Sequence, residues 1–146
     1  MESQEDRLLS SPRKPLCVIL DSNFLLIPFE FKVDIFSELQ NLLQRRVEFL
    51  LLKPIYEEMM RLRTEGNAKL RKRASSALEL CRDKCRITEL QSLNGETTDE
   101  LLIRAAQNLR CLVATNDKDL RLRLREKGIP VVYLRQKSFL KIDGWI

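Results

Sequence analysis

The chain has 146 residues, of which 44% are hydrophobic and 32% charged, a length and balance that fit one globular domain and exclude a disordered chain. Lys and Arg outnumber Asp and Glu by 26 to 21, and the net charge of +5 favours a polyanionic partner. No apolar run approaches the ~18 residues that span a bilayer, and the opening MESQEDRLLSSPRKP holds no apolar stretch of signal-peptide length; a cytoplasmic protein without membrane contact is expected.

After a polar lead, Leu16-Cys17-Val18-Ile19-Leu20 is a short continuous apolar run, the pattern of a strand buried on both faces, and it stops at Asp21. Val33, Phe36, Leu39, Leu43 and Val47 recur at helical spacing, which predicts one amphipathic helix over about 31–46. Val47 to Leu52 reads as a second strand, and Pro54 suits the first turn of a helix running through Leu62, where its missing N–H costs nothing. A further helix is expected from Glu65 to about Cys85, with Leu70, Ala74, Ala77, Leu78, Cys81 and Cys85 as its apolar stripe, then a short strand over 85–87. Thr97 followed by Glu100 is a capping box that opens the next helix. Cys111 to Ala114 is a strand, Asn116 or Asp117 caps the helix after it, and Gly128 stops that helix before a last strand over 130–134. The tail from about Gln136 and the first dozen residues read as detachable. Short apolar strands alternating with helices predict an α/β fold with a parallel sheet covered on both faces.

The four cysteines, Cys17, Cys81, Cys85 and Cys111, lack metal-site spacing, and there is no histidine to complete a mixed zinc site. They are read as buried, reduced thiols. The four glycines are isolated, which excludes the glycine-rich phosphate loops. A phospho-acceptor receiver would need its Asp after the middle strand and a Lys after a later one, whereas strand two runs into Lys53-Pro54. An adhesion-type metal site fails at the fifth position of Asp21-Ser22-Asn23-Phe24-Leu25.

In open parallel sheets ligands bind outside the carboxyl ends of the strands. Strand one ends at Asp21, and strand four is followed by Thr115, Asp117 and Asp119. Glu57 and Glu58 lie in the first turns of the helix after strand two, and Asp99 lies in the helix that feeds strand four. Asp99 and Asp117 also suit helix N-termini, where negative charge is favoured by ~0.3–1 kcal/mol. No helix start is read at Asp21, so its carboxylate is assigned to function. Carboxylates that converge need a cation to stay ionised together, and a hard divalent ion, Mg²⁺ or Mn²⁺, with water and phosphate as its other ligands predicts phosphodiester hydrolysis.

These residues resemble the PIN-domain ribonucleases. The likeness rests on Val18-Ile19-Leu20-Asp21-Ser22-Asn23 for the hydrophobic strand and DxN, Ile55-Tyr56-Glu57-Glu58-Met59 for the acidic helix, Thr98-Asp99-Glu100 with Leu102 and Ala106 for the third acid, and Thr115-Asn116-Asp117-Lys118-Asp119-Leu120 for TxDxxL. It extends from about Leu16 to Leu134 and is nearest to VapC-like and archaeal pre-rRNA-processing types. It implies a polar lead over 1–15 and a PIN-like nuclease domain over 16–146, three α/β/α layers with strand order 3-2-1-4-5, and a metal-dependent endoribonuclease. By position it implies Asp21, Asp99 and Asp117 as metal-binding acids and Glu58, with Glu57 one residue away, as the helix glutamate. Asn23 and Thr115 follow as polar supports, with Asp119 and Glu100 behind them.

The stretch 61–73 carries Arg61, Arg63, Lys69, Arg71, Lys72 and Arg73 against one acid, Glu65, and Arg121 and Arg125 stand one turn apart after Asp117. Both groups are candidates to hold an RNA backbone. Phe24, Phe29 and Phe31 are candidates for core, dimer or base contacts. The expected partners are RNA, a second copy of the chain, and an antitoxin or a pre-ribosomal particle, according to whether the enzyme is a toxin or a maturation nuclease. The alternative is a non-catalytic RNA-binding or assembly factor with the same fold.

Overall fold

The computed structural model describes residues 14–146, so nearly all of the polar lead assigned to 1–15 lies outside the described residues. Six strands, β1 (Leu16–Leu20), β2 (Val47–Leu52), β3 (Cys85–Thr88), β4 (Leu112–Ala114), β5 (Val131–Arg135) and β6 (Phe139–Asp143), form one sheet in the order β3-β2-β1-β4-β5-β6. The first five are parallel and carry the expected order 3-2-1-4-5; β6 is antiparallel to β5. Val18, Ile19 and Leu20 are fully buried, as are Leu52, Val113 and Ala114. Consecutive strand residues point to opposite faces, so burial of all three means that both faces of the sheet are covered.

The covering helices follow local signals. Instead of one helix over 31–46 there are three short ones, α1 (Ser22–Leu25), α2 (Ile27–Phe31) and α3 (Ile35–Leu43). Pro28 lies in the first turn of α2, Lys32 ends it at φ 57°, and Asp34 starts α3 by accepting from Ser37 N at 3.2 Å. Asp34 is therefore a cap, which fixes where the helix can begin. Of the apolar stripe, Val33, Phe36, Leu39 and Leu43 are buried, while Val47 is half-buried and opens β2. Beyond β2, α4 (Lys53–Glu65) and α5 (Ala68–Lys84) pack on each other. Gly66 joins them, where a Cβ would stand 2.8 Å from the Leu62 carbonyl oxygen and 3.3 Å from Leu70. Next come α6 (Thr98–Leu109), with the expected cap at Thr97, and α7 (Lys118–Glu126), which ends before Gly128 at φ 76°.

Two expectations are corrected here. The tail from Gln136 is not detachable: it turns back as β6, places Leu140 in the core and pairs from Phe139 to Asp143 with β5. The turn escaped notice because it has no glycine; Gln136 and Lys137 adopt φ 53° and 57°, a left-handed pair that sequence preferences assign to Gly or Asn. Nor are all four cysteines reduced. Cys17 and Cys111 form a disulfide with Cα atoms 4.7 Å apart, because the β1–β4 register that pairs Val18 with Leu112 sets the two preceding residues side by side. Cys81 and Cys85 remain free thiols. Among the described residues no helix is long and apolar enough to cross a membrane.

Candidate active site

Parallel pairing of β1 with β4 and β4 with β5 brings three strand ends to one edge. Asp21 N donates to Ala114 O at 3.0 Å and Thr115 N to Val132 O at 3.0 Å, so the ladder continues one residue past each strand and delivers Asp21 and Thr115 next to each other. Among the described residues these are the two buried polar side chains, at 6% and 0% exposure.

A buried carboxylate must spend its acceptors. Asp21 Oδ2 accepts from the Thr115 hydroxyl at 2.7 Å and from Asn23 Nδ2 at 3.1 Å, and Oδ1 accepts from Ser22 N at 2.8 Å. This last bond makes Asp21 the N-cap of α1, so the expectation that no helix start needs it is overturned: the residue caps a helix and faces the site at once. Three of its roughly four lone-pair positions are filled, and one remains on Oδ1. Asn23 Oδ1 accepts from Asn116 N at 3.0 Å, and Asn116 Oδ1 accepts from Leu134 N at 3.0 Å, which ties the loop after β4 to α1 on one side and β5 on the other. Thr115 Oγ1 also accepts from Asp117 N at 3.1 Å. Asp117, rather than Asn116, caps α7: its Oδ1 accepts from Asp119 N at 2.9 Å and Leu120 N at 3.2 Å.

Around this frame the acids sense one another. Burial pushes the Asp21 carboxyl above the usual range against its hydrogen bonds, and Asp99 adds to the rise. Glu58, half-buried on α4, is raised by burial and then by Asp21, while Arg61 and the Ser22 hydroxyl oppose it. Asp99, on the first turn of α6, is raised by burial, then by Asp117, with Arg123 pulling it down and Asp119 adding a smaller push. Like charges raise one another in this way when they are near, so acids from α4, α6 and the ends of β1 and β4 lie along the same edge of the sheet. Among the described residues, however, no three acidic or thiol side chains are grouped closely enough to enclose an ion as they stand.

The remaining candidates divide clearly. Glu57 is exposed one residue from Glu58. Glu100 is exposed and engaged in the cap, its N–H donating to Thr97 Oγ1 at 3.1 Å and its carboxylate accepting from that hydroxyl at 3.0 Å. Lys69, Arg71 and Lys72 are exposed on α5 with Arg73 half-buried, and Arg63 borders a separate groove with Tyr56 and Met60. Arg125 is bound to the tail, its Nε donating to Asp143 Oδ1 at 3.2 Å and its Nη1 to Ile129 O at 3.3 Å. It serves the fold, a role hidden from the sequence because β6 was. Phe24 is core, while Phe29 and Phe31 are half-buried against it. Sequence reading missed Arg123, whose guanidinium stands 3.8 Å from Asp99. It also missed a cleft of about 530 Å³ beside Asp117, lined by Phe31, Lys118, Arg121, Tyr133, Arg135 and Lys137 among others.

Comparison with known proteins agrees with this fold. The model of the PIN like domain family matches residues 18–137. The chain is 32% identical to Ribonuclease VapC4 of Methanocaldococcus jannaschii over 130 residues, which cover 88% of this chain and 98% of that protein. It is 30% identical to Ribonuclease VapC9 of Archaeoglobus fulgidus, covering 89% and 91%. The rRNA-processing protein fcf1 of Schizosaccharomyces pombe is 31% identical over 81% of this chain and 58% of its own length. In structure, the PIN domain endonuclease Utp24 superposes with a TM-score of 0.74 at 24% identity, over 90% of this chain and 94% of that one, a likeness of fold. A family match that contains all four strand-edge acids, with relatives at 30% identity or more covered almost end to end, leaves one conclusion: the chain belongs to the PIN-domain ribonuclease family.

Proposed function

We propose that this protein is a divalent-metal-dependent endoribonuclease that hydrolyses RNA phosphodiester bonds, with Asp21, Glu58, Asp99 and Asp117 as its active carboxylates. The observation that carries the reading is a buried carboxylate, Asp21, fixed by Thr115, Asn23 and Ser22 where β1 and β4 end, with Asp99 and Glu58 close enough for like charge to add to the effect of burial on Asp21 and Glu58. Such an arrangement is unfavourable unless positive charge enters it. The donors suit Mg²⁺ or Mn²⁺: all are hard oxygens, and ions of this class keep several waters, so two carboxylates in direct contact suffice and the others can act through water. An ion held there would supply the positive charge that the carboxylates and the scissile phosphate lack, and would activate water for attack on phosphorus.

The chain's own residues divide the remaining work. Asp21 offers its one remaining lone pair from a position locked by Thr115, Asn23 and Ser22. Asp117 spends Oδ1 on the start of α7, which leaves Oδ2 for the site. Glu58, facing Asp21 from α4, orients the attacking water; Glu57 is too exposed for that role. Asn23 and Thr115 hold the frame. The relatives support RNA as the substrate, two being named ribonucleases and one an rRNA-processing protein.

The test is cleavage of a labelled single-stranded RNA by the purified chain with Mg²⁺ or Mn²⁺, and by Asp21→Asn. Loss of roughly 10³-fold is expected for a variant that removes several kcal/mol of charge stabilisation, with circular dichroism unchanged. Full activity in Asp21→Asn rejects the site. An inactive but RNA-binding wild-type protein under every divalent metal would establish the non-catalytic assembly factor instead.

A further inference from the structure

The cleft beside Asp117 shares Thr115, Asn116 and Asp117 with the acidic site, and the rest of its lining suits one ligand class. Lys118 at the start of α7, Arg121 one turn on, Arg135 at the end of β5 and Lys137 in the β5–β6 turn set four cationic groups around about 530 Å³, against the single carboxylate of Asp117. That volume lies within the ~300–1,000 Å³ of small-ligand sites and can accept a nucleotide. The Arg121 guanidinium lies over the Tyr133 ring, 4.0 Å from its centroid, so the ring backs a flat cation in the lining. Arg121 Nε is buried and has no hydrogen-bond partner among the described residues, its approach to Asp143 being 3.8 Å. Arg125 takes Asp143 Oδ1 at 3.2 Å, while Arg121 keeps only the longer ion pair with Oδ2.

The β5–β6 turn is shaped around this space. Ser138 N donates to Arg135 O at 3.1 Å across Gln136 and Lys137, both left-handed without being glycine. Each such residue costs ~1–2 kcal/mol, and the turn sets Lys137 at the rim of the cleft. None of the six cationic residues of 61–73 reaches this lining.

We propose that this cleft is a nucleotide subsite of the RNA substrate, in which a base stacks on the Arg121 guanidinium that Tyr133 backs while Lys118 and Lys137 neutralise the phosphates flanking it. The assignment rests on the ribonuclease reading, since Asp117 borders both the cleft and the acids and thereby sets the subsite next to the scissile phosphate. An acidic peptide would use the charge but leave the stacked surface idle; a nucleotide uses both, and stacking tolerates any base. RNA thus crosses the site along the β5–β6 side and not along α5.

Fluorescence anisotropy with a fluorescein-labelled single-stranded RNA about 12 nucleotides long, in EDTA over a range of NaCl, tests this on the full chain. Because cleavage is blocked, failure of the nuclease reading would appear only in the cleavage assay. Lys118→Ala/Lys137→Ala is expected to weaken binding at least tenfold and to flatten the slope of log affinity against log salt by about 1.4, the value for two single-strand phosphate contacts. Tyr133→Leu should lose about 5- to 100-fold and Tyr133→Phe should bind as wild type. Lys69→Ala/Lys72→Ala on α5 should stay within about twofold, with the wild-type slope. Unchanged affinity and slope in Lys118→Ala/Lys137→Ala, or a loss carried by the α5 pair, overturns the proposal. Wild-type binding by Tyr133→Leu reduces the cleft to a phosphate contact and overturns the nucleotide assignment.

Discussion

The strand-end frame and the rim of acids around it are built on opposite principles. In the frame, Asp21, Asn23, Thr115 and Asn116 satisfy one another within a few ångströms, and even the capping bond to Ser22 helps to hold the carboxylate. On the rim, Glu58, Asp99 and Asp117 come from elements with independent reasons to be where they are, and their charges oppose each other. Position in the frame is secured by hydrogen bonds; position on the rim is secured by helices that pack elsewhere. A site made this way can carry electrostatic strain without distorting, which suits a binding place for a cation and a phosphate.

The frame should be the costlier half to break. Thr115→Val keeps the shape but removes the hydroxyl that donates to Asp21 and accepts from Asp117 N. Leaving a buried acceptor unmatched costs ~1–3 kcal/mol, so a fall in melting temperature with about 10- to 100-fold slower RNA cleavage is expected, and Thr115→Ser should restore both. Wild-type turnover by Thr115→Val would show that the frame does not position Asp21.

Adding Mn²⁺ probes the rim. Binding only to the folded state raises stability by RT ln(1 + [L]/Kd), ~2.7 kcal/mol at a hundredfold excess over Kd. A concentration-dependent rise in melting temperature is expected for the wild type and should be lost in Asp21→Asn; equal shifts in both would place the ion elsewhere.

The smallest effect is a gain. Because Asp99 is raised in the folded state, that state binds more protons than the unfolded chain between the ordinary carboxylate range and the raised value. Stability is therefore full below the unfolded pKa and declines as pH rises through the folded one. In EDTA at pH 7, Asp99→Asn should melt about 1–3 °C higher, a modest figure because Asp99 is partly solvated and its contact with Arg123 is weak. The gain should shrink as pH falls and vanish below about pH 3, where both states are largely protonated. A loss at pH 7 would mean that the Arg123 contact outweighs the repulsion.

Much of this molecule follows from local patterns. The five parallel strands, the helices after β2, the Thr97 cap and the placement of acids after strand ends rest on periodicity and capping chemistry, which act over a few residues. The division of 22–43 into three helices was half visible, since Pro28 and Asp34 are ordinary start signals set within one continuous apolar stripe.

What only the tertiary structure decided depends on pairs far apart in sequence. The Cys17–Cys111 bond spans 94 residues and follows from the register of two parallel strands. The return of the tail as β6 depends on a left-handed turn without glycine, and it captures Arg125 through Asp143. Arg121 stacked on Tyr133, and the exposure of Glu57 beside a half-buried Glu58, depend on helix rotation and sheet packing. Composition and short-range pattern determine which residues can form strands, helices and caps. Which side chains then share a cleft is set by strand order and register, because those alone bring residues from opposite ends of the chain within reach of a single ligand.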